Sequence, residues 1–127
     1  TNNPHNPSGR IWSKADMQEL SNLLETNNNL YHLSDEVYEH ITFDARHESA
    51  NLYEALRAKT IIVSSFGKSF HITGWKVGYI VAPENLMNEF YLLLSKLHFG
   101  IFKVTLKAFL LKKKALFYGN KSFAINL

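Results

Sequence analysis

A lysine set between a glycine and a serine, directly after an apolar β-branched run, is the most reactive-looking feature of the chain: Gly67-Lys68-Ser69 within SSFGKSFHITGWKVGY, residues 64–79. Two chemistries use such a lysine. One is a phosphate-cradling loop, which needs a glycine five positions before the Gly-Lys pair so that the backbone can curl its amides onto phosphate. That position is Ile62, in the middle of the apolar run, and Thr73 and Gly74 make the following stretch a poor helix start. The nucleotide-loop reading fails on both counts. The other is a lysine whose own amine reacts.

A reactive amine of this kind forms a Schiff base with an aldehyde cofactor such as pyridoxal 5'-phosphate, and that cofactor has three groups to be managed. A carboxylate against the ring nitrogen keeps it protonated; Asp35, at the end of a short apolar run, is of the right type. The phenolic oxygen needs a phenol or an amide beside it, which Tyr38 and Asn6 offer. The phosphate needs hydroxyl and cationic donors, and Ser65 and Lys76 flank Lys68. His5, His40 and His71 lack metal-ligand spacing and read as loop or packing residues.

The elements that must position these groups alternate between helix and strand. The run 2–9 is dense in Asn, Pro, Ser and Gly and reads as a loop. Residues 13–29 read as a helix: Ser13 caps it, Asp16 completes a capping-box variant, and Met17, Leu20, Leu23 and Leu24 share one face before an Asn run. Residues 30–34 read as a buried strand, 51–59 as a second helix, 60–66 and 77–83 as further strands, and 84–99 as a largely buried helix. Phe66, Phe70, Trp12 and Trp75 read as packing residues, and Gly74 and Gly78 as places of close backbone approach. This order predicts an α/β sandwich with the polar candidates at strand ends, where ligands gather in such sheets.

Composition sets outer bounds. With 127 residues, 46% hydrophobic and 20% charged, the chain is one globular domain at most. It has no cysteine, which removes disulfides and thiolate metal sites. The net charge of +3 is concentrated in Lys103, Lys107, Lys112, Lys113, Lys114 and Lys121, a pattern of a solvated tail rather than a nucleic-acid face. No signal peptide and no membrane-spanning apolar stretch is read from the sequence.

The segments NNPHNPSGRIW, LSDEVYEHITFD and SSFGKSFHITGWKVGYIVAP, in this order, resemble fold type I pyridoxal-phosphate aminotransferases of class I/II, in the kynurenine/glutamine/methionine aminotransferase branch. The resemblance covers residues 1 to about 103. It implies a partial PLP-binding large domain over 1–103, a three-layer α/β sandwich whose mostly parallel sheet gains an antiparallel strand after the Lys68 loop. It implies Lys68 as Schiff-base lysine and proton shuttle, Asp35 on the pyridinium nitrogen, Tyr38 on the phenolic oxygen, and Ser65 and Lys76 on the phosphate. Asn6 would bond the phenolic oxygen and orient the substrate carboxylate. Many relatives carry Arg where Lys76 stands; lysine keeps the charge and loses the bidentate fork.

The resemblance further implies transamination between an amino acid and a 2-oxo acid by a cytoplasmic homodimer, with no nucleic-acid or membrane partner. Members of the family are longer than this chain, which starts without Met on a turn-like segment and reads as a fragment. Residues 104–127 depart from the family pattern and read as a divergent basic and apolar tail, possibly frameshifted. The alternative is a non-catalytic remnant with weak cofactor binding.

Overall fold

The computed structural model describes residues 1–96 and 115–118. The first helix, α1 (Lys14–Thr26), starts on a full capping box. The Ser13 N–H donates to Asp16 Oδ2 at 2.7 Å, and the Asp16 N–H donates to Ser13 Oγ at 3.2 Å. These bonds from the Ser13 backbone and side chain hold the Asp16 carboxyl below its usual range. The helix ends three residues before the expected boundary. Asn27 is extended, and its Nδ2 turns back to donate to the Leu23 carbonyl at 2.8 Å. Lys59 Nζ closes the same end, donating to the carbonyls of Leu24 at 2.6 Å and Asn27 at 3.1 Å, where a cation opposes the helix dipole.

Strand β1 (His32–Asp35) begins two residues later than the apolar run, because Leu30 is still held in a turn by the Asn27 carbonyl. The single helix expected over 51–59 is two pieces, a 3-10 turn at Ala50–Leu52 and α2 (Glu54–Lys59). Tyr53 separates them in extended conformation, its hydroxyl donating to Glu48 Oε2 at 2.9 Å. Then follow β2 (Thr60–Ser65), the one-turn helix α3 (Phe66–Ser69), a 3-10 turn at Thr73–Trp75, β3 (Gly78–Val81), α4 (Glu84–Lys96) and β4 (Ala115–Tyr118).

The four strands lie in the order β1-β2-β3-β4. β1 and β2 are parallel with Asp35 opposite Val63; β2 and β3 are antiparallel with Ser65 opposite Gly78; β3 and β4 are antiparallel. The parallel character expected of the sheet is thus carried among the described strands by β1–β2. The expected antiparallel strand after the Lys68 loop is β3. β4 falls within the stretch read as a divergent tail; the basic residues of that stretch lie outside the described residues.

Helices cover both faces. Ile62, with Val81 beside it, packs against Met17 and Leu24 of α1 and Leu56 of α2. On the other face Ile61 and Ile80 meet Ala82, Leu86 and Met87. Leu24, Leu56 and Met87 are fully buried, each contributing about 1.5–3 kcal/mol of apolar burial. Expectations at five residues are corrected. Leu23 is half exposed, turned away from the α1 core face, and Leu92 of the helix read as largely buried is 49% exposed. Phe70 and Trp75 are 65% and 54% exposed, so neither is a core residue, although the Phe70 ring lies 5.7 Å from that of Phe66. A Cβ on Gly74 would meet nothing within 4 Å, so that glycine serves no close approach.

Gly78 does. A Cβ there would sit 2.8 Å from the Ser64 carbonyl oxygen, a backbone atom of the neighbouring strand. Gly78→Ala is therefore expected to strain the β2–β3 ladder and destabilise the chain by about 1–3 kcal/mol, read as a lower urea midpoint. A second expectation concerns pH. His32 is buried between Thr60 Oγ1 at 3.1 Å and Thr1 Oγ1 at 2.7 Å. Burial, then the nearby N-terminal ammonium, lower its pKa from 6.5 to about 4, against a smaller opposing pull from Glu36. Between those values the unfolded chain binds the extra proton, so stability is full above about pH 6.5 and falls as pH drops towards about 4. The single-site limit of that loss is about 3 kcal/mol. Urea midpoints across this range should fall for the native chain and vary less for His32→Asn.

Candidate functional site

The site grows from the carboxyl end of β1. Asp35 is tied to the N-terminal loop through its backbone: its N–H donates to the Thr1 carbonyl at 2.9 Å and its carbonyl accepts from the Asn3 N–H at 3.0 Å. Asn3, buried, takes the Trp12 N–H on its side-chain oxygen at 2.9 Å. The loop carrying Asn6 is in this way stitched alongside β1. Asn2 Oδ1 then accepts the Asn6 N–H at 3.1 Å.

After Asp35 the chain turns. Asp35 Oδ1 accepts the Val37 N–H at 3.2 Å, and Glu36 is 2% exposed. Its carboxylate accepts from Ser34 Oγ at 3.1 Å and the Ala50 N–H at 3.0 Å, and lies 3.0 Å from His47 Nε2. Burial pushes the Glu36 carboxyl up, but hydrogen bonds from His47, Ser49 and Ala50 outweigh it and hold the pKa below the usual range. The turn presents Tyr38, whose hydroxyl accepts from Asn6 Nδ2 at 3.0 Å.

Lys68 approaches from β2. Its Nζ lies 5.9 Å from the centroid of the Tyr38 ring, within cation–π range. A cavity of about 290 Å³ opens beside it, lined by Ser65, Gly67, Lys68, Thr73, Lys76 and their neighbours Val77 and Gly78. One serine hydroxyl, one threonine hydroxyl and two ammonium groups on one small cavity are a donor set for a phosphate-sized anion. Lys76 enters it from a left-handed backbone, φ 51°, unusual for a residue with a side chain.

The structure thus joins Asn6, Tyr38 and Lys68 in one contact chain, and Ser65, Lys68 and Lys76 around one cavity. Lys68 belongs to both. Asp35 does not line the cavity; it shares the sheet face of Ser65, since residues alternate and Asp35 pairs with Val63. A wider cleft of about 700 Å³ between the N-terminal loop and α1, with Arg10 and Trp12 on its walls, contains none of these groups.

Three participants escape a reading of the sequence. Thr73 lines the cavity and donates to the Gly67 carbonyl at 3.3 Å. Glu39 and Tyr79 meet at 2.7 Å, with Ser64 Oγ 3.5 Å from the same carboxylate oxygen. Burial, with Glu39 adding to it, pushes the Tyr79 hydroxyl up to about 12, so it remains a donor. The one available signal was position, Glu39 following Tyr38 and Tyr79 following the lysine loop. Among the described residues no group of three or more His, Asp or Glu side chains is arranged to hold a metal, and no helix is long and apolar enough to cross a membrane.

Known proteins match the chain in both sequence and fold. A methionine aminotransferase from Escherichia coli is 46% identical over 89 residues, which is 69% of this chain and 23% of that protein. A kynurenine–oxoglutarate transaminase from Dictyostelium discoideum is 44% identical over 89 residues, 68% of this chain and 20% of that protein. A solved Clostridium difficile structure described as a PLP-bound aminotransferase superposes with a TM-score of 0.64 at 27% identity, covering 74% of this chain and 26% of the other. The chain therefore spans about a fifth to a quarter of the length of these relatives. The family model described as aminotransferase class I and II matches residues 1–113, and the chain belongs to that family.

Proposed function

We propose that this chain is the cofactor-lysine core of a pyridoxal-phosphate-dependent aminotransferase that moves an amino group between an amino acid and a 2-oxo acid. The observation that carries the reading is the placement of Lys68 5.9 Å from the Tyr38 ring while it shares a cavity with Ser65 and Lys76. Those donors fit the cofactor: the two ammonium groups and the hydroxyl suit its phosphate, and the Asn6–Tyr38 pair suits its phenolic oxygen. The solved relative described as PLP-bound supports the same choice.

When bound, pyridoxal phosphate supplies a ring that draws electron density from the substrate Cα. The chain's own residues do the rest. Ser65 and Lys76 hold the phosphate and so fix where the ring lies. Asp35, on the sheet face of Ser65, offers a carboxylate to the ring nitrogen and keeps it protonated. Tyr38 and Asn6 hold the phenolic oxygen, and Asn6 also orients the substrate carboxylate. The Lys68 amine takes the proton from the substrate Cα and returns it one position along. A homodimeric, cytoplasmic parent enzyme completes the reading, on the strength of the sequence resemblance.

In the full-length enzyme Lys68→Ala should abolish amino-group transfer. Asp35→Asn should retain part of the cofactor, held through its phosphate, and slow transfer more than about a hundredfold. Turnover assays of both variants check this; near-normal turnover in either overturns the role given to that residue. The alternative of a non-catalytic remnant is decided on the 127-residue chain itself. Mixed with micromolar pyridoxal phosphate, it is expected to give no more cofactor absorbance than Lys68→Ala. Clear Lys68-dependent absorbance would show that the chain holds a competent site and remove the remnant reading.

A further inference from the structure

The helix that carries Lys68 has four residues and no side-chain cap. A single turn has no stability of its own, so its position is set by what surrounds it. Tyr38 sits in a turn followed by the exposed stretch 43–46, with its hydroxyl bonded to Asn6 and not to the lysine loop. Yet the Lys68 ammonium and the Tyr38 ring lie 5.9 Å apart. A bond from the Tyr38 turn to the strands that bear the lysine loop would hold them in register.

The Glu39 carboxylate is placed to do so. It accepts from Tyr79 Oη at 2.7 Å and lies 3.5 Å from Ser64 Oγ, through the same oxygen. Ser64 and Tyr79 are direct partners across the β2–β3 ladder. Ser64 stands just before the segment that carries Lys68, and Tyr79 just after it. One carboxylate therefore joins the turn that bears Tyr38 to both strand ends from which the lysine loop departs and returns. The Tyr79 ring extends the link: it lies 5.5 Å from the Phe66 ring, and Phe66 lies 5.7 Å from Phe70, two residues to either side of Lys68. Glu39 is partly buried, with 24% of its side chain exposed, and its neighbour His40 stands 3.7 Å away with an exposed ring.

We propose that Glu39 and Tyr79 are a positioning pair that sets the Tyr38 ring against the Lys68 amine. Its catalytic meaning rests on the function proposed above; its geometry does not. Neither residue touches cofactor or substrate in this reading. Both act through Tyr38 and Lys68, the pair whose separation decides whether the amine reaches the atoms it must protonate.

The test is made on the isotopically labelled 127-residue chain by NMR. The readouts are the nuclear Overhauser contact between the Tyr38 ring protons and the Lys68 ε-methylene, and the Val63–Ile80 cross-strand contact as a control for the fold. Tyr79→Phe removes the hydroxyl and keeps the ring stack; Glu39→Leu removes the acceptor; Glu39→Gln keeps an oxygen that accepts from Tyr79. The expected result is loss of the Tyr38–Lys68 contact in Tyr79→Phe and Glu39→Leu, its retention in Glu39→Gln, and no further loss in the Tyr79→Phe/Glu39→Leu double variant. The cross-strand contact should persist throughout. Retention of the Tyr38–Lys68 contact in Tyr79→Phe overturns the proposal. So does loss of the cross-strand contact in any variant, since the pair would then support the sheet rather than the site. An active Lys68→Ala enzyme would refute the proposed function and leave this comparison standing, so the two failures are separable.

Discussion

A carboxylate that is 2% exposed is tolerable only when donors replace the water it has lost, and Glu36 is such a group at the point where β1 ends. Its partners come from three places: Ser34 two residues back, the Ala50 N–H at the start of the 3-10 turn, and His47 in the loop between. Satisfying one side chain thus folds the stretch from 36 to 50 onto the sheet. Its own N–H is held by the Val63 carbonyl, which joins this network to β2. Asp35 precedes Glu36 and Tyr38 follows it by two residues, so the two candidate groups stand on either side of a side chain held by this network.

β2 separates two jobs by alternation. Thr60, Ile62 and Ser64 are buried on the face covered by α1 and α2, while Ile61, Val63 and Ser65 belong to the face that carries Asp35. The even positions of the strand thus pack under α1 and α2, while the odd ones combine the smaller Ile61 core with the candidate site at Ser65. Inserting one residue would exchange them. Gly78 closes the arrangement from β3, because only a residue without a Cβ lets the two backbones approach beside Ser64.

What could be read from the sequence divides along the range of the interactions involved. The cap of α1 was legible because Ser13 and Asp16 are three residues apart and satisfy each other. β2 was legible from its β-branched run, and the candidate groups at its end followed from the chemistry of a reactive lysine. The break at Tyr53 was not, since the hydroxyl that holds it extended reaches Glu48, outside any helical pattern. The exposure of Phe70 and Trp75 was not either, because hydrophobic identity carries no information about which way a loop leaves the sheet. The Glu39–Tyr79 contact spans 40 residues, and no periodicity encodes a pairing of that length.

Lys76 occupies a backbone region where glycine would be at ease, and its side chain reaches the same cavity as Lys68. A glycine there would relax the backbone and leave the cavity with one ammonium group instead of two; lysine keeps the second charge at a backbone cost of about 1–2 kcal/mol.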